Sequence, residues 1–150
     1  MRCATTFFGR ILLTTTLGVS LAWGGPAIGG EATPAPSLHL ELNGADASAA
    51  GCRLTFVVEN RLGVGLDKAA FEIVLFNDAG LVERLAVLDF KELPEGKTKV
   101  RQFDIQGADC ARVGRVLVND AVACEGEGVE AGACLRGLVT ATKSAVAFGS

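Results

Sequence analysis

Residues 52–59 read Cys-Arg-Leu-Thr-Phe-Val-Val-Glu, and this stretch decides the fold class. Its alternate residues from Cys52 to Val58 are apolar, whereas the residues between them are polar or charged apart from Val57. Successive side chains of a β-strand point to opposite faces, so a period of two predicts a strand with one face in a hydrophobic core. This stretch is the clearest strand in the chain.

Further short apolar segments lie on both sides of this strand, and turn sequences separate them. The strongest turn is Asn77-Asp-Ala-Gly80, whose residue types between two apolar runs are typical of a β-hairpin. No segment keeps the apolar period of a helix for more than about two turns. We therefore predict one all-β domain, a β-sandwich of about seven or eight strands, over residues 38–150. The predicted strands are residues 38–43, 52–59, 70–76, 81–90, 98–105 and 113–123, with one or two more in 135–148.

The first half of this domain carries a recognisable order of pieces. The clear strand ends at Asn60, the apolar segment 71–76 follows, and two turns come next, Asp78-Ala-Gly80 and Leu93-Pro-Glu-Gly96. This order resembles the immunoglobulin-like and fibronectin-type-III-like domains of bacterial cell envelopes, and the chain also resembles short exported proteins of proteobacteria. The resemblance implies an immunoglobulin-like sandwich in the envelope and implies no activity. The chain departs from true immunoglobulin domains, because its single Trp is Trp23 and it has no Tyr for a tyrosine corner.

The N-terminal region differs from the rest of the chain. Two arginines and no acidic residue precede the apolar segment 11–22, and small residues follow it. A basic start, an apolar core of about a dozen residues and small residues at the cleavage point are typical of a secretory signal peptide. An uncleaved membrane anchor is the alternative, but the threonines and flanking glycines make this segment a poor spanning helix. We predict a Sec-type signal peptide at residues 1–22, with cleavage after Ala22 or Ala27, and a flexible linker at 23–37.

The charge of the predicted mature chain limits its partners. Loss of Arg2 and Arg10 from the 14 basic residues leaves 12 against 17 acidic residues, a formal charge of −5. Nucleic acids and anionic membranes bind clustered Lys and Arg, which this chain lacks. We therefore expect the protein to bind neither nucleic acid nor anionic membranes. From the signal peptide we expect no stable membrane span after cleavage and a location in the periplasm of a Gram-negative bacterium.

Cysteine usage predicts how the domain is held together. Cys3 lies in the predicted signal peptide, which leaves Cys52, Cys110, Cys124 and Cys134. An even number in an exported chain predicts two disulfides, with three possible pairings. We favour Cys124–Cys134 as a local link across a Glu/Gly-rich loop, with Cys52–Cys110 tying an early strand to a late segment. The spacings of 58, 14 and 10 residues contain no close cysteine pair, so neither a zinc site nor a redox motif is expected.

Catalytic residues are scarce. The single histidine, His39, lies on the first predicted strand, and there is no Gly-x-Ser-x-Gly motif. Nucleophilic catalysis needs a base beside an activated nucleophile, and the remaining cysteines are expected to be oxidised. We predict that the protein is not an enzyme and has no catalytic residues, no cofactor and no metal.

The acidic segment between Cys124 and Cys134 is the best local candidate for a binding site. It carries Glu125, Glu127 and Glu130, which could form an interaction loop or bind calcium. It lacks the regular acidic ladder of a calcium-binding loop. A hydrolase that uses a carboxylate pair is a third possibility.

These observations predict a non-catalytic exported protein that binds a partner protein or serves as an accessory component of an envelope assembly. A small-ligand or calcium-binding module that uses the acidic loop is the alternative. Sandwiches bind through end loops or by adding a strand at an open edge. The candidate surfaces are the loops Arg61–Lys68 and Glu125–Ala133 and the strand around His39, taken as an edge. Asn119-Asp120, which interrupts an apolar strand, predicts a bulge or, alternatively, a functional polar patch.

Overall fold

The computed structural model describes residues 34–150, so the predicted signal peptide and most of the predicted linker lie outside the described residues. Eight strands form two four-stranded sheets that pack face to face, which confirms the all-β sandwich of about eight strands. Within residues 34–150, no helix is long and apolar enough to cross a membrane. The strands are β1 (Ser37–Ser48), β2 (Gly51–Arg61), β3 (Leu66–Asn77), β4 (Val82–Leu93), β5 (Thr98–Gln106), β6 (Val113–Glu125), β7 (Leu138–Thr142) and β8 (Ala147–Gly149), with one short helix, α1 (Ala133–Arg136).

The order of strands decides which of them have an unpaired edge. One sheet has the order β5-β2-β1-β7 and the other has the order β4-β3-β6-β8. Neighbours pair antiparallel except for β1–β7 and β6–β8, which are parallel. The edge strands are therefore β5 and β7 in the first sheet, and β4 and β8 in the second.

The core between the sheets is built around phenylalanine rings. Phe56 of β2 is fully buried and meets the ring of Phe90, on the opposite sheet, at a centroid distance of 5.6 Å. It also meets Phe148 of β8 at 5.6 Å, and both pairs are edge-to-face. Such edge-to-face contacts add to the stabilisation from burial, so these rings hold the two sheets together. The alternation that decided the fold class is real, because β2 buries every second residue from Cys52 to Asn60.

The predicted hairpin at Asn77–Gly80 joins β3 to β4. The Asn77 Oδ1 atom accepts hydrogen bonds from the backbone N–H groups of Ala79 and Leu81, each at 3.0 Å. Gly80 has a φ of +76°, a left-handed conformation that glycine adopts without steric cost. The sequence predicted this turn correctly because the Asn77 side chain and the Gly80 backbone each act within the turn itself.

The first strand is longer than predicted, and one bulge was anticipated. The first strand was predicted to end at residue 43, but β1 continues through a bulge near Asn43 and pairs with β2 as far as Ser48. Small and polar residues are accepted there because this part of the ladder needs backbone pairing more than side-chain burial. In β6, Asn119 is the extra residue of a bulge opposite Glu72, to which its amide donates a hydrogen bond of 2.6 Å.

Both disulfides have the pairing that the sequence favoured. Cys52–Cys110 ties β2 to the single-turn 3-10 helix before β6, with 4.9 Å between the Cα atoms. Cys124–Cys134 ties the end of β6 to α1, with 6.0 Å between the Cα atoms. The helix α1 was not predicted, because its first two residues were expected in a loop and its last two in the segment 135–148 that was expected to hold one or two strands. Two disulfides are compatible with an oxidising, exported compartment.

Candidate functional site

The two loops that the sequence selected lie side by side at one end of the sandwich. A Cβ atom on Gly126 would collide with the backbone carbonyl of Gly65, so the backbones of the loops are in direct contact. A cavity of about 360 Å³ opens between them. Its lining includes Leu62, Val64, Gly128, Glu130, Ala133 and Arg136.

Asn60 supports this end of the domain from inside. Its side chain is fully buried, and its amide donates 2.8 Å hydrogen bonds to the carbonyls of Val64 and Leu93. Its Oδ1 atom accepts a 3.0 Å hydrogen bond from the N–H of Leu62. All the polar atoms of the side chain are therefore satisfied, as burial requires. The sequence showed Asn60 only as the end of a strand, although its position in phase with Phe56 and its neighbours indicated an inward side chain.

The acidic residues of the segment between Cys124 and Cys134 do not form a cluster. Glu130 is exposed and forms an ion pair with Arg136 at 3.2 Å, while Glu127 borders a different cleft beside Asp67. Within the described part of the chain, no three His, Cys, Asp or Glu side chains are placed to hold a metal ion. The arrangement of Glu125, Glu127 and Glu130 therefore gives no geometric support to the calcium-binding alternative.

The strand around His39 is not an edge, so that expectation was wrong. β7 pairs in parallel with residues 38–42 of β1, and β2 covers the other side. The segment 135–148 had been predicted only as one or two strands. Its pairing with β1 joins residues about a hundred positions apart, which local patterns do not indicate. His39 is half-buried and lies opposite Glu59 on β2. All four cysteines of residues 34–150 are in disulfides.

The open edges that do exist lie elsewhere. β4 and β5 belong to different sheets but flank one cleft of about 430 Å³ along the same side of the sandwich. The cleft is lined in part by Arg84, Ala86, Leu88, Phe103, Ile105 and Gln106. The rings of Phe90 and Phe103 lie 5.0 Å apart and connect the two strands beneath it.

β4 exposes apolar side chains along this edge. Leu85 is 56% exposed and Val87 is 58% exposed, and the run Leu85–Leu88 contains no charge. Near the start of the strand a bulge falls at Glu83, and near its end Lys91 has a φ of +62°. Bulges and charges are what natural proteins use to keep an edge strand from pairing. On β4 these features stand at both ends and leave the middle unprotected.

β5 is protected along its length. The Lys99 ammonium lies 2.6 Å from a Glu92 carboxylate oxygen, and the Arg101 guanidinium donates a 2.9 Å hydrogen bond to the Phe90 carbonyl. These contacts bridge β5 to the last residues of β4. The Lys99 contact also holds the pKa of Glu92 below its ordinary value.

A second ion pair lies further along β5. Arg53 of β2 makes two parallel 3.0 Å hydrogen bonds to the carboxylate of Asp104. The guanidinium holds the pKa of Asp104 below its ordinary value, because hydrogen bonding to the charged form favours that form. The charges of β5 are therefore neutralised within the domain, whereas the run Leu85–Leu88 of β4 offers an uncharged surface.

Sequence reasoning missed this surface. The segment 81–90 was predicted as a strand, and its apolar residues on both faces were visible. That β4 lies at an edge depends on the pairing order of the sheet, which local patterns do not determine. A comparison of the chain with protein-family models, curated proteins and solved structures finds no match.

Proposed function

We propose that this chain is a non-catalytic exported protein of the cell envelope that binds a partner protein by accepting an extended segment of it as an additional strand beside β4. The observation that carries the proposal is the uncharged, exposed run Leu85–Leu88 on an open edge. An edge strand offers unpaired N–H and C=O groups, and strand addition satisfies them while burying side chains of both partners. An unprotected edge favours aggregation, so its retention is best explained by a partner that covers it.

The domain type is part of the same proposal. We take β1 to β6 as strands A, B, C, C′, E and F of an immunoglobulin-like sandwich. The pairings β5-β2-β1 and β4-β3-β6 are those expected of such a domain. The departure is at the C-terminus, where β7 and β8 pair in parallel with β1 and β6 instead of forming one antiparallel last strand.

Export is supported by the N-terminal sequence pattern and by the two disulfides, which persist in an oxidising compartment. We propose the periplasm as the compartment. If the protein is periplasmic, the form released by osmotic shock should lack residues 1–22 and have no free thiol.

A photo-cross-linking residue in place of Leu85 tests the proposal in the native cell. Val100 of β5 is the matched control position, because it is apolar, lies on the neighbouring edge strand and is 59% exposed. We expect the variant at Leu85 to form a defined covalent adduct with one protein, and the variant at Val100 to form none. Adducts from Val64 in the end loop, with none from Leu85, would overturn the proposal and assign binding to the loops.

A further inference from the structure

We propose that the segment accepted by β4 is an extended acidic–apolar polypeptide, with a carboxylate that pairs with Arg84 and apolar side chains that lie over the cleft between β4 and β5. This inference rests on the proposed function and adds the chemistry of the partner.

Arg84 is the cation on this side of the domain that has no acidic partner. Within residues 34–150 it forms no salt bridge. A terminal nitrogen of its guanidinium lies 3.2 Å from the point that a Cβ atom would occupy if Gly107 had a side chain. The side chain therefore reaches across the mouth of the cleft towards the end of β5. The other nearby cations, Arg53, Lys91, Lys99, Arg101 and Arg112, each lie within 4.0 Å of a carboxylate oxygen.

The cleft next to Arg84 is apolar at its base. Leu88 and Ile105 are each 4% exposed, and the ring of Phe103 packs against the core. Side chains of an added strand alternate, so every second residue would lie over this base and the others would lie on the outer face near Leu85 and Val87. One of the cleft-facing positions falls beside Arg84. An acidic residue there would neutralise the guanidinium, and apolar residues would suit the remaining positions.

A second copy of this chain gives Arg84 no acidic partner in the registers that pair most of the uncharged run. Directly opposed residues of an antiparallel pair share a face, and two registers centred within the uncharged run keep most of it paired. The register centred on Ala86 places Glu83 opposite Asp89, two like charges. The register centred on Val87 places Asp89 opposite Leu85 and Glu83 opposite Lys91. Neither register brings an acidic residue opposite Arg84, so a second copy would leave this guanidinium without a carboxylate, whereas a different chain with an acidic residue there would neutralise it.

The test uses three nine-residue peptides of alternating Val and Thr. The first has Glu at its central position, the second has Lys there, and the third is the Glu peptide with all of its backbone amides N-methylated. Binding to the purified disulfide-intact domain is measured by fluorescence anisotropy at low salt. We expect the Glu peptide to bind roughly fivefold more tightly than the Lys peptide, as an exposed ion pair allows, and the methylated peptide not to bind.

Arg84→Gln is the decisive variant, and Arg112→Gln is its control because Arg112 already pairs with Glu83 at 3.0 Å. We expect Arg84→Gln to remove the preference for Glu over Lys and Arg112→Gln to keep it. A Glu preference that persists in Arg84→Gln, or equal binding of the Glu and Lys peptides, would overturn this inference and leave strand addition intact. Equal binding of the methylated peptide, or no binding by any peptide, would overturn both proposals.

Sedimentation of the free protein covers the remaining occupant. We expect a monomer at concentrations at which the peptides bind. A dimer that Val87→Lys dissociates would show that a second copy covers β4, and would overturn the inference.

Discussion

The edge strands β4 and β5 lie beside the same cleft, yet they treat their open sides in opposite ways. β5 carries Lys99, Arg101 and Asp104, and each is bonded to a group inside the same domain. β4 carries the uncharged Leu85–Leu88 in its middle and has its irregularities only at the ends. On β5 the fold closes an open edge with charges. The open stretch of β4 is the basis of the proposed binding.

The largest expected difference is between substitutions on the inner and outer faces of β4. Phe90 is buried among aromatic rings, so Phe90→Ala should lower the free energy of unfolding by about 3–5 kcal/mol. Val87→Ala removes an exposed side chain and should lower it by less than about 1 kcal/mol. Urea unfolding followed by circular dichroism measures both. A loss above about 2 kcal/mol for Val87→Ala would mean that the outer face serves the fold instead of a partner.

The C-terminal end of β4, at Leu93, is held by Asn60. Asn60→Ala leaves the carbonyls of Val64 and Leu93 without their donor, and should lower the free energy of unfolding by about 2–4 kcal/mol. Asn43→Ala is the control, because the side chain of the exposed Asn43 donates only to Glu41, and its effect should be below about 0.5 kcal/mol. Equal effects of the two substitutions would show that Asn60 does not hold this end.

Removal of charge should turn β5 into a second open edge. The double variant Lys99→Val and Arg101→Val removes the bridges to Glu92 and leaves an apolar run around Val100. We expect self-association in light scattering at concentrations at which the parent protein is monomeric, with a loss of stability of at most about 1 kcal/mol. A variant that stays monomeric would show that charge is not what protects β5.

The smallest expected effect concerns the other ion pair of β5. Arg53→Gln removes the guanidinium that lowers the pKa of Asp104, so that pKa should rise towards its ordinary value. The pKa is depressed in the folded state, so the stabilisation is present at neutral pH and is lost as the pH falls through the Asp104 pKa. A carboxyl-detected NMR titration measures the shift. No change in the Asp104 pKa would mean that Arg53 does not set it.

Local chemistry explains why part of this structure was predictable. The alternation of residues 52–59 and the hairpin at Asn77–Gly80 each express a constraint that lies within the sequence segment itself. The two disulfides followed from the even number of cysteines in a chain expected to be exported, although their partners lie up to 58 residues apart. The extension of β1 to Ser48 was missed because backbone pairing with β2 holds residues whose side chains have little strand preference.

The candidate site was predicted less well for the same reason. The loops Arg61–Lys68 and Glu125–Ala133 do lie together, and loop sequences had indicated both. His39 was taken as an edge residue because its strand comes first, whereas β7 returns from the far end of the chain to cover it. The open edge of β4 follows from the order of strands in a sheet, a property of long-range pairing.

Amide hydrogen exchange of the purified domain tests the central claim most directly. The measurement compares the free protein with the protein saturated by the Glu-containing peptide, residue by residue, by NMR. Strand addition gives hydrogen-bond partners to the β4 amides that face away from β3, so these amides within Leu85–Leu88 should exchange more slowly while those of β5 do not change. Slower exchange confined to the end loops, or equal slowing on β4 and β5, would contradict the account.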